Sequence, residues 1–461
     1  MTEVYRIEQD SIGKGRVPVD AYYGIQTKRA SENFKITGMR VNPEFIRSMA
    51  EVKIAAAISN KEAGVLDEKI ADAIIKAGNE VLNGSFADDF IVDTIQGGAG
   101  TSLNMNVNEV LANRAIEILG GQKGEYSIVH PNDHVNCGQS TNDVYPSAGK
   151  IAVIRHIYKA LDALSNLKSA LVDKSEEFKN IVKMGRTEMQ DAVPMTLGQT
   201  FCAFAGAIDR DIKRFQKAID ALSTLNMGGT AIGTGINAHP VYMKKIAGNI
   251  SDITGLKLSL ANDLIDATQN LDDIVYASGI IKSCASTISK ISNDLRLMSS
   301  GPRTGFSEIN LPARQNGSSI MPGKVNPVMP EMINQVAFNI IGNDVTITMA
   351  AEAGQLELNA FEPVIFYCLF ESLEMLTNGI NAFTEYCVKG ITANEKICRG
   401  EVESSLGLLT ALCPYIGYTK ASSLAKRALK EDKKIFDLLL EEEIMTPEEI
   451  DKVFDETLKN L

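Results

Sequence analysis

The chain has 461 residues, a formal net charge of -12, and ordinary fractions of hydrophobic (44%) and charged (23%) residues. The negative balance argues against a nucleic acid as the main partner, because such binding needs a basic face, but it allows a small anionic substrate. No apolar run is long enough to cross a bilayer, and residues 1–16 lack a secretory signal. We therefore expect a cytoplasmic protein that is not a membrane protein.

The seven cysteines are scattered along the chain, without a CxxC pair or a histidine-rich ligand spacing. This pattern indicates reduced thiols, most of them in the core, and predicts no metal site. Residues 228–235 (GGTAIGTG) are rich in glycine, but they lack the lysine of a phosphate-binding loop and the strand context of a dinucleotide fold. We therefore expect no cofactor.

Three segments follow one another along the chain. Residues 1–142, the predicted N-terminal domain, show short helices and polar, glycine-containing loops. Residues 143–395 contain long stretches without proline and form the predicted central domain of long helices. Residues 396–461 form a predicted small, charged, helical C-terminal domain, in which residues 446–449 (TPEE) indicate a capping box at a helix start.

Long apolar stripes dominate the central segment. Two of them recur at three- and four-residue steps: Ile154, Ile157, Leu161, Leu164, Leu167 and Leu171 in one, and Leu271, Ile274, Ile281, Cys284, Ile288, Ile291 and Leu295 in the other. Helices of this length cannot bury their stripes alone, so they should pack nearly antiparallel against one another and against other subunits. The predicted fold is mainly all-α, a long central helix bundle flanked by two smaller domains, in an obligate oligomer.

Four stretches interrupt the helical pattern with a high density of Ser, Thr, Asn and Gly. They are residues 97–108 (GGAGTSLNMNVN), 130–143 (HPNDHVNCGQSTND), 185–196 (GRTEMQDAVPMT) and 317–331 (GSSIMPGKVNPVMPE). Each places hydroxyl or amide donors beside expected backbone kinks, where side chains and free NH groups can converge on an anion. One such cluster alone is usually an ordinary loop, but four of them predict an anion-binding cavity built from distant parts of the chain.

Residues 317–326 (GSSIMPGKVN) resemble the signature GSSxMPxKxN of the fumarase, aspartase, argininosuccinate lyase and adenylosuccinate lyase superfamily. The resemblance covers nearly the whole chain, from YYG at residues 22–24 to GITAN at residues 390–394. It implies a helix bundle of the fumarase and aspartase type and a small dicarboxylate substrate. It also implies a homotetramer in which loops from different subunits form each active site. Because the signature loop is long and contains glycine, we expect it to close over bound substrate and to exclude water.

The resemblance also implies roles for individual residues. The first serine of the signature, Ser318, is the expected catalytic base, and it needs help from backbone NH groups, a nearby cation or a dry loop. The hydroxyls expected to hold the carboxylate beside the departing proton belong to Thr101, Ser140, Thr141 and Ser319. The other carboxylate is expected at Thr187, Lys324 and Asn326, and the amino group at Asn142 and Glu188.

Smaller motifs favour elimination of ammonia from L-aspartate over elimination of water from L-malate. Residues 327–335 (PVMPEMINQ), 354–359 (GQLELN) and 192–196 (AVPMT) are similar to the aspartase form. After Thr187, fumarases carry histidine where this chain has Glu188, and a carboxylate suits an ammonium group by direct charge attraction. An equally weighted alternative is that Glu188 faces another residue, such as a lysine, and does not touch the substrate.

Two other functions compete with this hypothesis. A fumarate hydratase would perform the same elimination with water as the leaving group. A non-catalytic helical scaffold could keep the fold, although intact Ser318, Lys324 and Asn326 argue against it, because a scaffold has no need for this polar loop. Of the four histidines, His130 and His134 could titrate near neutrality, but a structural role in their loop is favoured.

Overall fold

The computed structural model describes residues 4–459. The first half of the chain contains helices α1 (Ile25–Asn33), α2 (Pro43–Glu62), α3 (Glu68–Leu82), α4 (Thr101–Ile118), α5 (Thr141–Glu177), α6 (Leu197–Leu222) and α7 (Pro240–Thr254). The second half contains α8 (Leu264–Gln269), α9 (Asp272–Met298), α10 (Val328–Glu352), α11 (Glu362–Tyr386), α12 (Glu395–Ser404), α13 (Leu408–Ile416), α14 (Tyr418–Glu431), α15 (Ile435–Glu441) and α16 (Pro447–Lys459). The prediction of a mainly α-helical protein is confirmed.

Strands occur only as two-stranded pairs within the described residues. They are β1 (Tyr5–Gln9), β2 (Lys14–Pro18), β3 (Val182–Thr187), β4 (Gln190–Thr196), β5 (Thr224–Leu225), β6 (Ser259–Leu260), β7 (Ile309–Asn310) and β8 (Thr392–Ala393). Three pairs, β1–β2, β3–β4 and β7–β8, are antiparallel, and β5–β6 is parallel. Short helical turns lie at Ala87–Asp89, Pro131–Val135 and Val388–Gly390.

Both predicted apolar stripes form long helices. The first lies in α5, which has 37 residues, and its members are buried except for the half-buried Leu161. The second begins at Leu271, directly before α9, and continues along that helix, and all of its members are buried. Burial of one side of a helix at this spacing is the expected consequence of packing against neighbouring helices. No helix among residues 4–459 is long and apolar enough to cross a membrane.

The chain divides into two compact units, and each unit consists of three separate stretches of sequence. The first unit comprises residues 1–161, 213–283 and 339–376, and the second comprises residues 162–212, 284–338 and 377–461. The division into domains at residues 142 and 395 stays a prediction.

An aromatic cluster forms part of the core of the first unit. Phe45 on α2 contacts the rings of Tyr145 on α5 and of Phe366 and Phe370 on α11, with centroid distances of 4.8 to 5.4 Å. A Cβ atom at Gly149 would overlap the ring of Phe366, so α5 and α11 can approach this closely only because residue 149 is glycine. The same cluster lies beside the start of α5, where the candidate site begins.

The second unit has its own aromatic contacts and a separate C-terminal core. Phe178 and Phe201 pack edge to face at 5.3 Å, and Phe204 follows at 5.8 Å. Helices α13 to α16 enclose a small core of buried residues: Leu409, Leu412, Ala421, Leu424, Ala428, Ile435, Leu438, Leu439, Ile450 and Val453. The predicted capping box is confirmed at α16, because Thr446 N donates to Glu449 Oε2 (2.8 Å) and Glu449 N donates to Thr446 Oγ1 (3.2 Å).

Two details of the N-terminal prediction are wrong. The helices before residue 142 are not all short, since α2 has 20 residues and α4 has 18. The stretch 97–108 is a loop only as far as Gly100, because α4 begins at Thr101. Its asparagines tolerate the helix because their side chains find partners in other parts of the first unit, a tertiary effect that local propensity does not contain.

Candidate active site

Two threonine hydroxyls meet at the starts of α4 and α5. Thr101 is the first residue of α4 and Thr141 is the first residue of α5, and Thr101 Oγ1 donates to Thr141 Oγ1 at 3.3 Å. Gly100, directly before α4, has φ +90, and a Cβ atom there would overlap the ring of Tyr145. The glycine-rich turn therefore permits a close approach that places both hydroxyls at helix N-termini, where free NH groups favour an anion.

The residues on either side of Thr141 are fixed by short-range hydrogen bonds. Ser140 N donates to Asp143 Oδ1 (2.9 Å), and Asn142 N donates to Ser140 Oγ (3.2 Å). The structure therefore brings the predicted residues Thr101, Ser140, Thr141 and Asn142 together in the first unit. Their hydroxyl and amide groups are donors and acceptors suited to a carboxylate and its neighbouring substituent.

A buried polar network lies next to these hydroxyls. Asn104 Nδ2 donates to Thr141 Oγ1 (3.0 Å) and to Asn136 Oδ1 (3.2 Å). Asn136 Oδ1 also accepts from Asn108 Nδ2 (3.2 Å) and from Lys53 Nζ (2.8 Å). Because Thr141 Oγ1 accepts from Asn104, its own proton remains available to a ligand.

Lys53 is the functional candidate that sequence reasoning missed. It lies on α2, is fully buried, and donates to Asn136 Oδ1 and to Gln139 Oε1 (3.0 Å). A usable signal was present in the sequence, because a lysine stands there within the apolar run of residues 52–57 (VKIAAA). A buried lysine is uncommon and indicates a specific charged or hydrogen-bonding environment.

Burial shifts the pKa values of Lys53 and Asp143 in opposite directions. Burial lowers the pKa of Lys53 to about 7, although the negative charge of Asp143 opposes this shift. Burial raises the pKa of Asp143 to about 6, against the opposing effect of the Ser140 and Thr230 NH groups and of Lys53. Titratable groups with opposed shifts often mark functional sites, because a protein keeps such costly groups where they act on a ligand.

The second unit carries Thr187 and Glu188 on the β3–β4 hairpin. Thr187 pairs with Gln190, so Glu188 and Met189 form a two-residue turn, with φ +52 and +67 respectively. Both φ angles are positive, as in a type I′ hairpin turn, a conformation that Gly or Asn adopts more easily than Glu or Met. Thr187 and Glu188 are exposed at this tip. The structure shows no partner lysine for Glu188 within residues 4–459, so its role stays a prediction.

Charged residues hold the base of the same hairpin. Arg186 donates to Glu308 Oε1 (2.6 Å) and to Glu401 Oε2 (2.9 Å), and its guanidinium lies 4.3 Å from the ring centroid of Phe306. Lys183 Nζ lies 3.1 Å from the other oxygen of the fully buried Glu308. These bonds restrain the strand that ends at Thr187, because each charge has an opposite charge within reach.

The signature loop places two backbone donors on Ser318. Ile320 N and Met321 N donate to Ser318 Oγ at 3.1 and 3.0 Å. Two NH groups aimed at one hydroxyl oxygen stabilise its deprotonated form, because hydrogen bonds to a charged form favour that form. The backbone help that a serine base requires is therefore present in the loop itself.

The remaining signature residues are arranged around the ends of this loop. Gly317 N donates to Lys324 O (2.8 Å), and Asn326 Nδ2 donates to Gly317 O (2.8 Å), which closes the loop at its base. Ser319 and Lys324 are exposed. Lys324 and Asn326 line a cavity of about 530 Å³ in the second unit, together with Arg296, Ser300 and Asn310. Glu331 also lines the cavity, so its wall carries two cationic side chains and one carboxylate, a net positive charge that suits a carboxylate ligand.

The four histidines have structural surroundings. His130 Nδ1 accepts from Asn132 N and Asp133 N, His134 Nδ1 accepts from His130 N, and His239 Nδ1 caps α7 through Val241 N. His156 is buried beside the ring of Phe370, and burial lowers its pKa. Their bonds to nearby backbone support the structural role that was favoured for His130 and His134.

Comparison with known proteins identifies the family of the chain. A family model described as "Lyase" matches residues 13–342, and a model described as "Fumarase C C-terminus" matches residues 408–457. The chain is 54% identical to the aspartate ammonia-lyase of Helicobacter pylori (strain ATCC 700392 / 26695) over 451 residues, which cover 97% of this chain and 96% of the relative.

Two solved structures share the fold over almost the full length of the chain. A fumarate lyase:delta crystallin from Brucella melitensis bound to cobalt has a TM-score of 0.96 at 46% identity, and the match covers 98% of both chains. A class II fumarase from Schistosoma mansoni has a TM-score of 0.93 at 36% identity, again with 98% of both chains covered. The predicted fumarase and aspartase type of helix bundle is confirmed, and the chain belongs to the fumarase/aspartase superfamily of lyases and, within it, to the aspartate ammonia-lyase family.

Proposed function

We propose that this protein catalyses the reversible elimination of ammonia from L-aspartate to give fumarate, with Ser318 as the base. The observation that carries the proposal is the pair of backbone NH groups at 3.1 and 3.0 Å from Ser318 Oγ, within a signature that matches the superfamily. Identity to an aspartate ammonia-lyase is 54%, against 36% to a fumarase, which supports the choice of ammonia over water as the leaving group.

The proposed reaction begins with removal of a proton from the carbon next to the side-chain carboxylate. Ser318 Oγ takes this proton as an alkoxide, which its two NH donors stabilise. The electron pair left on carbon moves into the adjacent carboxylate, which then carries about two negative charges. Hydroxyls of Thr101, Ser140, Thr141 and Ser319 are proposed to bind this group.

The second half of the reaction forms the double bond. The electron pair returns from the carboxylate, the C–N bond breaks, and the –NH3+ group leaves as NH3 with the electron pair of that bond, so no further acid is needed. The proton on Ser318 then passes to water. Thr187, Lys324 and Asn326 are proposed to hold the other carboxylate, while Asn142 and Glu188 address the amino group.

The proposal includes a homotetramer with active sites composed from several subunits. An apolar stripe on α10 supports assembly, since Ile341, Val345 and Met349 are 38%, 55% and 63% exposed at four-residue spacing on one face of the helix. A repeated apolar face of this kind on a long helix needs a partner helix. A cytoplasmic location stays a prediction.

Absorbance of fumarate in the ultraviolet tests the proposed reaction. Purified protein is mixed separately with L-aspartate and with L-malate, and Ser318→Ala is compared with Ser404→Ala, a matched change on the exposed face of α12. We expect fumarate from L-aspartate alone, with activity lost in Ser318→Ala and kept in Ser404→Ala. Fumarate from L-malate alone would instead identify a fumarate hydratase, and no turnover by an intact tetramer would favour the scaffold.

A further inference from the structure

The glycine-rich segment, residues 228–235, has no role in the proposed chemistry, but it contacts a residue that does. Asn142 Nδ2 donates to Ala231 O at 2.7 Å, and Asn226 Nδ2 donates to Asn142 O at 2.9 Å. Asp143, the next residue, accepts from Gly228 N and Thr230 N at 3.1 Å each. The segment therefore holds the side chains of Asn142 and Asp143, and the nearby Asn226 holds the backbone carbonyl of Asn142, all within the first unit.

The Ala231 contact determines which end of the Asn142 amide is free. A carbonyl oxygen only accepts hydrogen bonds, so the group of Asn142 that faces Ala231 O must be the NH2. The opposite atom, Oδ1, accepts no hydrogen bond from any residue in the range 4–459. Asn142 is only partly buried, so this free oxygen, a pure acceptor, is available to a ligand.

The shape of the segment is tightly determined. Gly229 O accepts from Gly233 N and Gly235 N, both at 3.0 Å, which closes the segment on itself. Gly233 has φ +91, and a Cβ atom there would overlap Leu264 O and Ile265 N, which are backbone atoms of α8 and cannot rotate away. Thr230 is buried with φ +56, although β-branched residues avoid this conformation. A strained segment persists where its surroundings fix it.

From these contacts we infer that the glycine-rich segment is a specificity-determining element, which holds Asn142 so that only an acceptor oxygen meets the leaving group of the substrate. An ammonium group offers N–H donors with a positive charge, and a hydrogen bond between a carbonyl oxygen and a cation is stronger than one with a neutral donor. If the amide were reversed, its NH2 would repel an ammonium group and would favour a hydroxyl or water. This inference rests on the proposed elimination of ammonia.

The predicted consequence separates two ligands that differ only in the amino group. L-aspartate and succinate both carry two carboxylates, but succinate has nothing for Asn142 Oδ1 to accept. Displacing Ala231 should therefore weaken the binding of L-aspartate and leave the binding of succinate almost unchanged. In the reverse direction the KM for ammonium should rise while the KM for fumarate stays constant, which a general loss of structure would not produce.

Gly233→Ala tests the inference, because its methyl group pushes the segment away from α8 without altering a charge or touching Asn142. The matched control is Gly248→Ala on α7, where an added Cβ has no heavy atom within 4 Å. We expect the KM for L-aspartate to rise about tenfold in Gly233→Ala, with the inhibition constant of succinate changed less than about twofold. Gly248→Ala should match the wild type in both.

Other outcomes separate the inference from the proposed function. Equal increases in the KM for L-aspartate and in the inhibition constant of succinate, or no change in either constant, would overturn the inference. The proposed reaction would not be affected by that result. A wild-type protein that makes no fumarate from L-aspartate would instead overturn the proposed function and the inference with it. If Gly233→Ala does not fold, Thr230→Gly is the second test. It relaxes the backbone at φ +56, and it breaks no hydrogen bond, because the Thr230 hydroxyl has no partner among the described residues. We expect the KM for L-aspartate to rise about threefold while the inhibition constant of succinate stays the same, and an unchanged ratio of these two constants would overturn the inference.

Discussion

Two regions carry the same kinds of side chain but are held in opposite ways. One is the set of donor groups at the starts of α4 and α5, and the other is the signature loop, residues 317–327. Around Thr141 the supporting residues Asn104 and Lys53 are 2% and 0% exposed, and both donate to Asn136 Oδ1. In the signature loop Ile320 is 83% exposed, and Ser319 and Lys324 also face outward. One region is a buried network, and the other is an exposed loop closed mainly by backbone contacts.

The difference indicates a division of tasks between the two regions. Donors that must stabilise a doubly negative carboxylate are most effective when they are already oriented, so burial and a dense network suit them. A loop that carries the proposed base and admits and releases substrate needs low local stability, and exposed backbone with few side-chain bonds provides it. Substitutions in the two regions should therefore have different signatures.

The largest effect is expected for Gly317→Ala in the signature loop. The added Cβ would overlap Lys324 O and lie 2.8 Å from Lys324 C, and neither backbone atom can rotate away. The loop base would open and Ser318 would lose its orientation, so we expect kcat to fall on the order of 10³-fold with little change in thermal stability. Gly342→Ala on α10 is the control, since an added Cβ has no heavy atom within 4 Å there and the backbone is helical. Equal losses in both variants would contradict this explanation.

Removing the buried lysine should have the next largest effect. In Lys53→Met the Nζ donor disappears, and Asn136 Oδ1 and Gln139 Oε1 each lose a hydrogen bond that orients the network behind Thr141, so we expect kcat/KM for L-aspartate to fall about 100-fold. The exposed Lys244, changed in the same way, should leave the rate unaltered. Steady-state kinetics of the two variants check this, and a Lys53→Met enzyme with normal kcat/KM would remove Lys53 from the site.

The same two variants also test how the free energy of unfolding depends on pH. Burial lowers the pKa of Lys53 in the folded protein to about 7 from the ordinary value of 10.5, so between these values the unfolded chain binds the extra proton. Stability from this group therefore rises with pH above 7 and is lost as pH falls toward 7. Urea unfolding at pH 7, 8 and 9 should show this rise in the wild type and in Lys244→Met but a flatter profile in Lys53→Met.

A smaller effect is expected when the orientation of Thr141 is released. Asn104→Leu removes the donor to Thr141 Oγ1 at similar side-chain volume. The hydroxyl proton can then rotate away from the ligand, so we expect KM for L-aspartate and the inhibition constant of succinate both to rise about tenfold. The matched control is Asn79→Leu on α3. A selective loss of L-aspartate alone would show that Asn104 serves the amino group instead of the carboxylate.

The smallest effect concerns the hairpin tip. Met189 has φ +67, which a side chain disfavours, so Met189→Gly should stabilise the folded protein by up to about 1 kcal/mol. Chemical denaturation measures this change. In the same hairpin, Glu188→Gln should raise the KM for L-aspartate severalfold if its carboxylate meets the ammonium group. An unchanged KM would instead support the alternative that Glu188 does not touch the substrate.

Much of the fold and the main loop could be predicted from the sequence. The stripes in α5 and α9, the capping box at Thr446 and the break in helix at the signature loop follow from periodicity, prolines and glycines, which act locally. The resemblance of residues 317–326 to a known signature pointed to Ser318 as the base. The two NH groups on Ser318 Oγ are local as well, because they belong to residues two and three positions later.

Tertiary structure alone decided which residues support the site. Lys53 lies 83 residues from Asn136, and Asn142 lies 89 residues from Ala231, so their hydrogen bonds have no signature in local sequence. The sequence contained the lysine and the glycines, and it even suggested that the glycines bind no nucleotide. What it could not contain is the partner of each group, because burial and hydrogen-bond direction arise only when distant segments pack. The orientation of the Asn142 amide, which the proposed specificity requires, is a property of that packing.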